Sequence, residues 1–411
     1  MIRILDLENA RGLIARKAVR LEEAERVVAP ILADVRRRGD AAVLEYARRF
    51  DGFEGASVRI PAEGSLSPEM LRAVEIAAAN IRETALRQMP METSVDCGDG
   101  RRVGQIVRAL DSMGAYIPAG RYPLPSTVMM TVIPAQVAGV ATTCLACPNP
   151  SAEILGIAKW LGVTHLFRMG GAQAIAALAY GTETVPRVDR IVGPGNIYVA
   201  AAKKLIAGEV GIDFVAGPTE IVIIASEGDP RWLAADMLAQ AEHDVDASSI
   251  LLTTSRGLAE AVGVEIERQL ETLSTREVAR ASIEGNGAIV VVDSLDQAVE
   301  FSNALAPEHL SLLHLEARVE LLPAIRHAGS VFIGPFSPEA AGDYATGPNH
   351  VLPTSGVARI RGGLSAADFV KVISVQELSK TGLEQLTPAI TTLARAEGLE
   401  AHARSTEVRF A

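Results

Sequence analysis

The side chains of this chain best suited to chemistry gather in three short strings. Residues 340–355, AAGDYATGPNHVLPTS, set an acid (Asp343), a tyrosine (Tyr344) and a histidine (His350) among glycines and prolines that forbid regular helix or strand. Such a segment presents side chains. Two further histidines directly follow glutamates: Glu242-His243 within LAQAEHD and Glu308-His309 within LAPEHL. The chain has seven histidines in all, so three in acid-bearing strings need an explanation. An adjacent carboxylate and imidazole can divide acid and base work near neutral pH, and Glu308-His309 stands just ahead of an apolar strand, where such groups are firmly held. The same pair also reads as a surface ion pair, and the spacing leaves both readings open. On a helix over 233–244, Gln240 and His243 lie three apart and share a face. Joined by Asp343 and a further histidine, they offer the mixed nitrogen and oxygen donors that zinc accepts. The plainer reading of His243 is a helix-end histidine held by Glu242 and the dipole.

Two glycine-rich turns are the next candidates. Residues 168–173 (RMGGAQ) and 191–196 (IVGPGN) each follow a strand pattern and open a helix pattern, where free N–H groups and a helix dipole favour a phosphate. Parallel sheets bind ligands at such carboxyl ends. Neither turn is a G-x-G-x-x-G fingerprint, and a tight strand-to-helix turn needs glycine for steric reasons in any case. Cys144 and Cys147 have C-x-x-C spacing, but in the uncharged string ATTCLACP nothing lowers a thiol pKa, so they read as buried strand residues. His165, His314 and His327 sit in apolar periodic segments and read as structural or surface histidines.

These groups must be positioned by elements whose patterns are legible. Helical period runs over 21–38 and 67–88, the second opened by Ser67-Pro68-Glu69. From about 115 onward the texture alternates between short apolar runs (GVATTCLAC, THLFRM, DRIVG) and amphipathic helices (SAEILGIAKWLG, GAQAIAALAYG, NIYVAAAKKLIAG), the signature of βαβ units on a parallel sheet. The alternation resumes with EIVIIAS, SSILLTT, GAIVVVD, LSLLHL and SVFIG. Two parallel-sheet modules are expected. The segment after 364, with a helix pattern over 382–395, has too little apolar surface for a core of its own and must dock on this chain or a second copy.

Bulk composition narrows the partner. At 411 residues more than one domain is expected. A net charge of -11 and 4% aromatic residues argue against a phosphate backbone or stacked bases as ligand, which leaves a small molecule. Three cysteines suit a reducing cytoplasm, and Arg3, Asp6 and Glu8 stand where a secretory signal needs an apolar run, so no export is expected. Residues 122–152 carry no charge, yet Pro125, Pro134, Pro148 and Pro150 break the run. It reads as a buried helix and strand, not a membrane span.

Together GGAQAIAALAYGT, RIVGPGNIYV, AGPTEIVIIA, LAQAEHD, APEHL, GDYATGPNHVLPT and EGLEAHA resemble the histidinol dehydrogenase family, in order, over nearly the whole chain. The resemblance implies NAD- and zinc-dependent oxidation of L-histidinol to L-histidine through the aldehyde, the last step of histidine biosynthesis. Relatives that oxidise other primary alcohols, such as sulfonated diols, supply the alternative. It implies Gln240, His243, Asp343 and His402 as zinc ligands, His309 as general base, and Glu308 as the group that activates water. Thr219, His350 and Glu397 then join the four ligands and His309 in holding substrate, and Tyr116, Gln173 and Asn196 contact the dinucleotide. The fold implied is α/β, with two incomplete Rossmann-like parallel-sheet domains and small terminal segments in an intertwined homodimer. Its division would be a segment 1–19, a metal-bearing and catalytic domain from 20–115 and 220–363, an NAD domain 116–219, and a tail 364–411 that completes the partner's site. Ala119 and Ala367 depart from the family's usual glycine and tyrosine, away from every implied ligand.

Overall fold

The structure is a computed structural model that describes residues 2–14, 21–119, 122–313 and 321–411. His314, with Gly120 and Arg121 of YIPAGRYPLPST, lies outside them. Two six-stranded sheets dominate. In the first, parallel throughout, the order is Arg3–Asp6, Ala288–Val291, Ser248–Thr253, Glu220–Ile224, His309–Leu312 and Ser330–Ile333. In the second it is Arg59–Ile60, His165–Phe167, Thr142–Ala146, Ser112–Tyr116, Arg190–Val192 and Gly211–Ile212, with only the first edge strand antiparallel.

The apolar runs of the sequence are continuous because both faces of each sheet are covered. Ile221, Ile223, Leu251 and Ile289 enter one core while Val222, Ile224, Leu252 and Val290 enter the other, the period of two that a strand imposes. In the second sheet Cys144 faces one side with Phe167, and Leu145 faces the other with Leu166. Cys144 and Cys147 are fully buried, and burial pushes both thiols up to about 12, so neither is a nucleophile at neutral pH. The uncharged run forms the buried helix Pro125–Ala138 and the strand Thr142–Ala146. Among the described residues no helix is long and apolar enough to cross a membrane.

Helix starts follow their caps. Ser67 accepts from the Met70 N–H at 3.1 Å, ahead of Pro68–Gln88, and Asp229 accepts from Arg231 N–H at 2.9 Å, ahead of Pro230–Ala241. The helices within 21–88 pack against the second sheet's helices. Leu21–Arg38 packs Val28, Leu32 and Val35 among the alanines of Gly171–Tyr180 and Ile197–Ile206, and Pro68–Gln88 covers Pro125–Ala138 on the opposite face. The small side chains of those helices let another helix approach closely, which ties the N-terminal helices to the second sheet. The first sheet instead recruits Arg3–Asp6 as its edge.

A third sheet was not foreseen. Val370–Leu378 pairs antiparallel with Arg101–Ala109 over nine residues, and Thr93–Asp96 pairs on the far side. This ribbon is largely exposed, so burial gave it no alternating pattern to read.

Candidate active site

The catalytic candidates meet where the two large sheets face each other. Glu308 ends the loop into His309–Leu312, and Thr219 ends the loop into Glu220–Ile224, so both stand at the amino ends of neighbouring strands. Glu308 is locked from behind: Ser330 N–H donates to its carbonyl at 2.9 Å, and a Cβ on Gly329 would come within 2.6 Å of that oxygen.

A directional hydrogen-bond chain follows. The Thr219 hydroxyl donates to Glu308 Oε2, and Gln240 Nε2 donates to Thr219 Oγ1 at 2.8 Å. Gln240 Oε1 is thereby the acceptor for His309 Nδ1 at 3.0 Å. A neutral His309 then carries its proton on Nδ1 and leaves Nε2 bare. Nε2 is buried without a hydrogen bond among the described residues and faces Glu339 Oε1 at 3.7 Å and Asp343 Oδ1 at 3.8 Å. Burial lowers His309 to about 4, the nearby Asp343 charge only partly opposing it, so the ring is neutral at pH 7. Glu308 moves the other way: burial raises it well above the usual carboxylate range, against the Thr219 hydroxyl and the Glu220 N–H. Burial thus favours the uncharged form of both adjacent groups, which leaves a neutral imidazole beside a carboxyl more basic than an exposed one.

His243 lies two residues beyond the helix Pro230–Ala241, with Nε2 3.7 Å from Asp343 Oδ2. Glu242 turns away to accept from the Thr275 hydroxyl at 2.5 Å, so it is not the partner that holds His243. Among the described residues, His243, Glu339 and Asp343 form the one group of histidine, cysteine and acidic side chains whose ligand atoms, all within 4.8 Å of one another, could hold a metal ion. Glu339 is 2% exposed, its Oε1 has no hydrogen bond among the described residues, and burial, together with the neighbouring Asp343 carboxylate, raises it well above the usual range, a repulsion that a cation between the two would relieve. One imidazole and two carboxylates fit zinc chemically. Contrary to the expectation that residues 340–355 hold no regular helix, Glu339–Tyr344 is a short helix through Gly342, and it sets Glu339, which sequence reading missed, four residues before Asp343 on the same face.

His350 lines the same space, but both its ring nitrogens are engaged, Nδ1 with the Asp343 carbonyl at 2.9 Å and Nε2 with Thr127 Oγ1 at 3.2 Å. Two adjoining hollows of about 280 and 150 Å³ share His309, Asp343, His350 and Leu352. No lysine or arginine is among their described lining residues, so the space favours a cation. Glu397 and His402 are not brought here: both are exposed, at the end of Lys380–Ala396 and in Glu400–Glu407.

The dinucleotide candidates stand at carboxyl ends of the second sheet. Tyr116 closes Ser112–Tyr116, and its hydroxyl accepts from Gly171 N–H at 3.2 Å. Gln173 is buried at the start of Gly171–Tyr180 and donates from Nε2 to Asp51 at 3.2 Å. Asn196 is exposed and caps Ile197–Ile206, accepting from the N–H groups of Tyr198 and Val199, both at 3.1 Å. Gly193, at φ 107°, has no room for a Cβ, which would come within 2.3 Å of the Tyr116 carbonyl oxygen. Its N–H donates to Asp213 at 2.8 Å and its carbonyl accepts from Lys203 at 2.9 Å. Lys203 and Asp213 are themselves a buried ion pair. Pro194 and Gly195 then line the smaller hollow opposite Glu308.

Two largely parallel sheets covered by helices, with a buried acid–imidazole pair beside a metal-type cluster, are the arrangement of an α/β enzyme. Comparison with known proteins narrows the class. The family model described as histidinol dehydrogenase matches residues 14–410. A protein of that name from Geobacter metallireducens is 48% identical over 420 residues, 98% of this chain and 96% of its own length. Another from Geobacillus kaustophilus is 49% identical over 421 residues, 99% of each. The crystal structure of histidinol dehydrogenase from Elizabethkingia anophelis, 36% identical, superposes over 100% of this chain and 98% of its own with a TM-score of 0.93. The chain belongs to the histidinol dehydrogenase family.

Proposed function

We infer that this protein oxidises L-histidinol to L-histidine through the aldehyde, the closing oxidation of histidine biosynthesis, using two NAD+ in succession and one zinc ion. The observation that carries the reading is the pairing of a neutral His309 with a basic Glu308 in a hollow without lysine or arginine, beside a metal-type cluster. Such a space accepts a cationic amino alcohol. When bound, zinc would hold substrate nitrogens and NAD+ would supply the hydride acceptor. His243 and Asp343, with Glu339 beside them, would hold the metal together with the partner subunit's His402 and with Gln240, whose Oε1 would have to give up its contact with His309 Nδ1, and Thr219, His350 and the partner subunit's Glu397 would help to place the substrate. Tyr116, Gln173 and Asn196 would receive the dinucleotide.

The chain's own groups divide the proton work. The bare Nε2 of His309 takes the alcohol proton as the carbon loses its first hydride. Glu308, with Oε2 fixed by two donors, takes a proton from the water that adds to the aldehyde, and the resulting hydrate loses the second hydride. One carbon thereby gives up two hydrides and gains one water oxygen.

The homodimer in this reading is supported by what the tail leaves exposed. Val372, Ile373, Val375 and Leu378 on the ribbon, and Leu393, Leu399 and Val408 on the tail helices, are all exposed. A three-stranded ribbon with its apolar side chains in water needs a covering surface, and a second copy provides one. Expression in the cytoplasm fits an enzyme with three free thiols.

The test is stoichiometry. Zinc-loaded protein, limiting L-histidinol and excess NAD+ should yield two NADH for each L-histidine formed. Absence of NADH from a zinc-containing dimer would sink this assignment and direct the search to other primary alcohols, sulfonated diols among them.

A further inference from the structure

Asp51 sits where its charge is least welcome in its own helix. It is the last residue of Asp40–Asp51, followed by Gly52 in the left-handed conformation, and an anion at a helix C-terminus opposes the dipole. Its carboxylate reaches across to the start of a different helix, Gly171–Tyr180. There Oδ2 accepts from Gly170 N–H at 2.9 Å and from Gln173 Nε2 at 3.2 Å, while the neighbouring Gly171 N–H is taken by the Tyr116 hydroxyl. The N–H groups that a pyrophosphate seeks at such a turn are therefore partly occupied by the chain itself.

The geometry leaves one acceptor over. No hydrogen bond to Asp51 Oδ1 is seen among the described residues, and this oxygen lies so close to Gly170 that a Cβ there would come within 2.9 Å of it. Asp51 is half-buried, and burial holds its carboxyl above the usual range, against Gly170, Gln173 and the charge of nearby Arg168. Arg168 lies with its guanidinium 5.5 Å over the Phe53 ring, and its buried Nε has no hydrogen bond among the described residues. The turn thus balances one carboxylate against a guanidinium and a helix N-terminus.

Building on the reading that Tyr116 and Gln173 contact the dinucleotide, we propose that Asp51 is the residue that selects NAD+ over NADP+. A ribose 2′-hydroxyl donates to a carboxylate, whereas a 2′-phosphate brings two like charges against it. Without the Asp51 charge, the guanidinium of nearby Arg168 is left to favour a phosphate at the same corner.

The experiment measures dissociation constants of NAD+ and NADP+ by calorimetry on the intact zinc-loaded protein, for wild type, D51N, D51S and Q173A. The expected result is that D51N and D51S both shift the NADP+/NAD+ affinity ratio toward NADP+ by about tenfold or more, with the KM for the alcohol unmoved. Because D51S loses the shape as well as the charge, agreement between the two assigns the effect to charge. A ratio unchanged in both, with NAD+ binding weakened in Q173A, overturns the role of Asp51 and spares the dinucleotide contacts. If Q173A leaves NAD+ affinity untouched, the turn is not where the dinucleotide binds, and both readings fall together.

Discussion

The two large sheets present opposite edges to the same hollow. The second sheet offers the carboxyl ends of its strands, where the helices Gly171–Tyr180 and Ile197–Ile206 begin. The first offers amino ends, where Pro230–Ala241 finishes beside Gln240 and Leu295–Leu305 finishes four residues before His309. In a βαβ crossover this is forced: helix N-termini, with unpaired N–H groups, gather at one edge and helix C-termini, with unpaired carbonyls, at the other. One wall is therefore suited to an anion and the other to a cation. A phosphate-bearing cofactor and a metal-held amino alcohol can approach one reacting carbon from opposite sides, each against helix ends of suitable polarity. On the proposed reading, the rule that open parallel sheets bind ligands at carboxyl ends would hold for the second sheet and fail for the first, where Glu308 and His309 occupy the amino edge.

The strongest way to break the nucleotide-side wall is K203M. Lys203 is buried with Asp213, and together they hold Gly193 by its carbonyl and its N–H. Removing one partner leaves a buried charge uncompensated, and we expect a loss of about 3–5 kcal/mol in stability, read by denaturant unfolding. A loss under about 1 kcal/mol would mean that the pair does not hold the wall.

On the metal-side wall, H309A should lower turnover by about a hundredfold or more while zinc content stays the same. Equal turnover in mutant and wild type would remove His309 from the chemistry. The subtler variant T219V keeps the shape but deletes the hydroxyl that links Glu308 to Gln240. Turnover should fall by about tenfold, the cost of one charge-assisted hydrogen bond, with little change in melting temperature.

The smallest effect is expected at Asp51 and depends on pH. Its folded pKa is raised, so the charged form costs stability above that pKa, and the cost vanishes below the unfolded value. D51N should therefore melt slightly above wild type at pH 7 and coincide with it by pH ~3. A gap that widened on acidification would reverse the sign of the account.

Much of this was legible in the residues. Ser67, Asn196 and the alternating apolar runs gave helix starts and strands, because capping and burial write local patterns. Glu308-His309 stood out because two titratable groups preceded an apolar strand. Glu339 did not, since a glutamate after proline at a helix start reads as dipole compensation until its burial is seen. Asp51 was hidden for a related reason: a helix-end acid shows no sign in sequence of the Gly170 turn 119 positions away. The ribbon of Thr93–Asp96, Arg101–Ala109 and Val370–Leu378 escaped because strands exposed on both faces carry no periodic signal. His402 is the opposite case, suggested by the family resemblance and left outside the hollow by one chain alone.

That last point gives the most direct test of a site built from both walls and completed by a second copy. H309A and H402A homodimers should each be inactive, and subunits of the two, dissociated, mixed and reassociated, should regain about a quarter of wild-type activity. Half of the dimers are then hybrids, and each hybrid has one site with an intact His309 and an intact His402. No recovery, in a sample shown to contain hybrid dimers, would contradict the shared site and return His402 to a role outside the reaction.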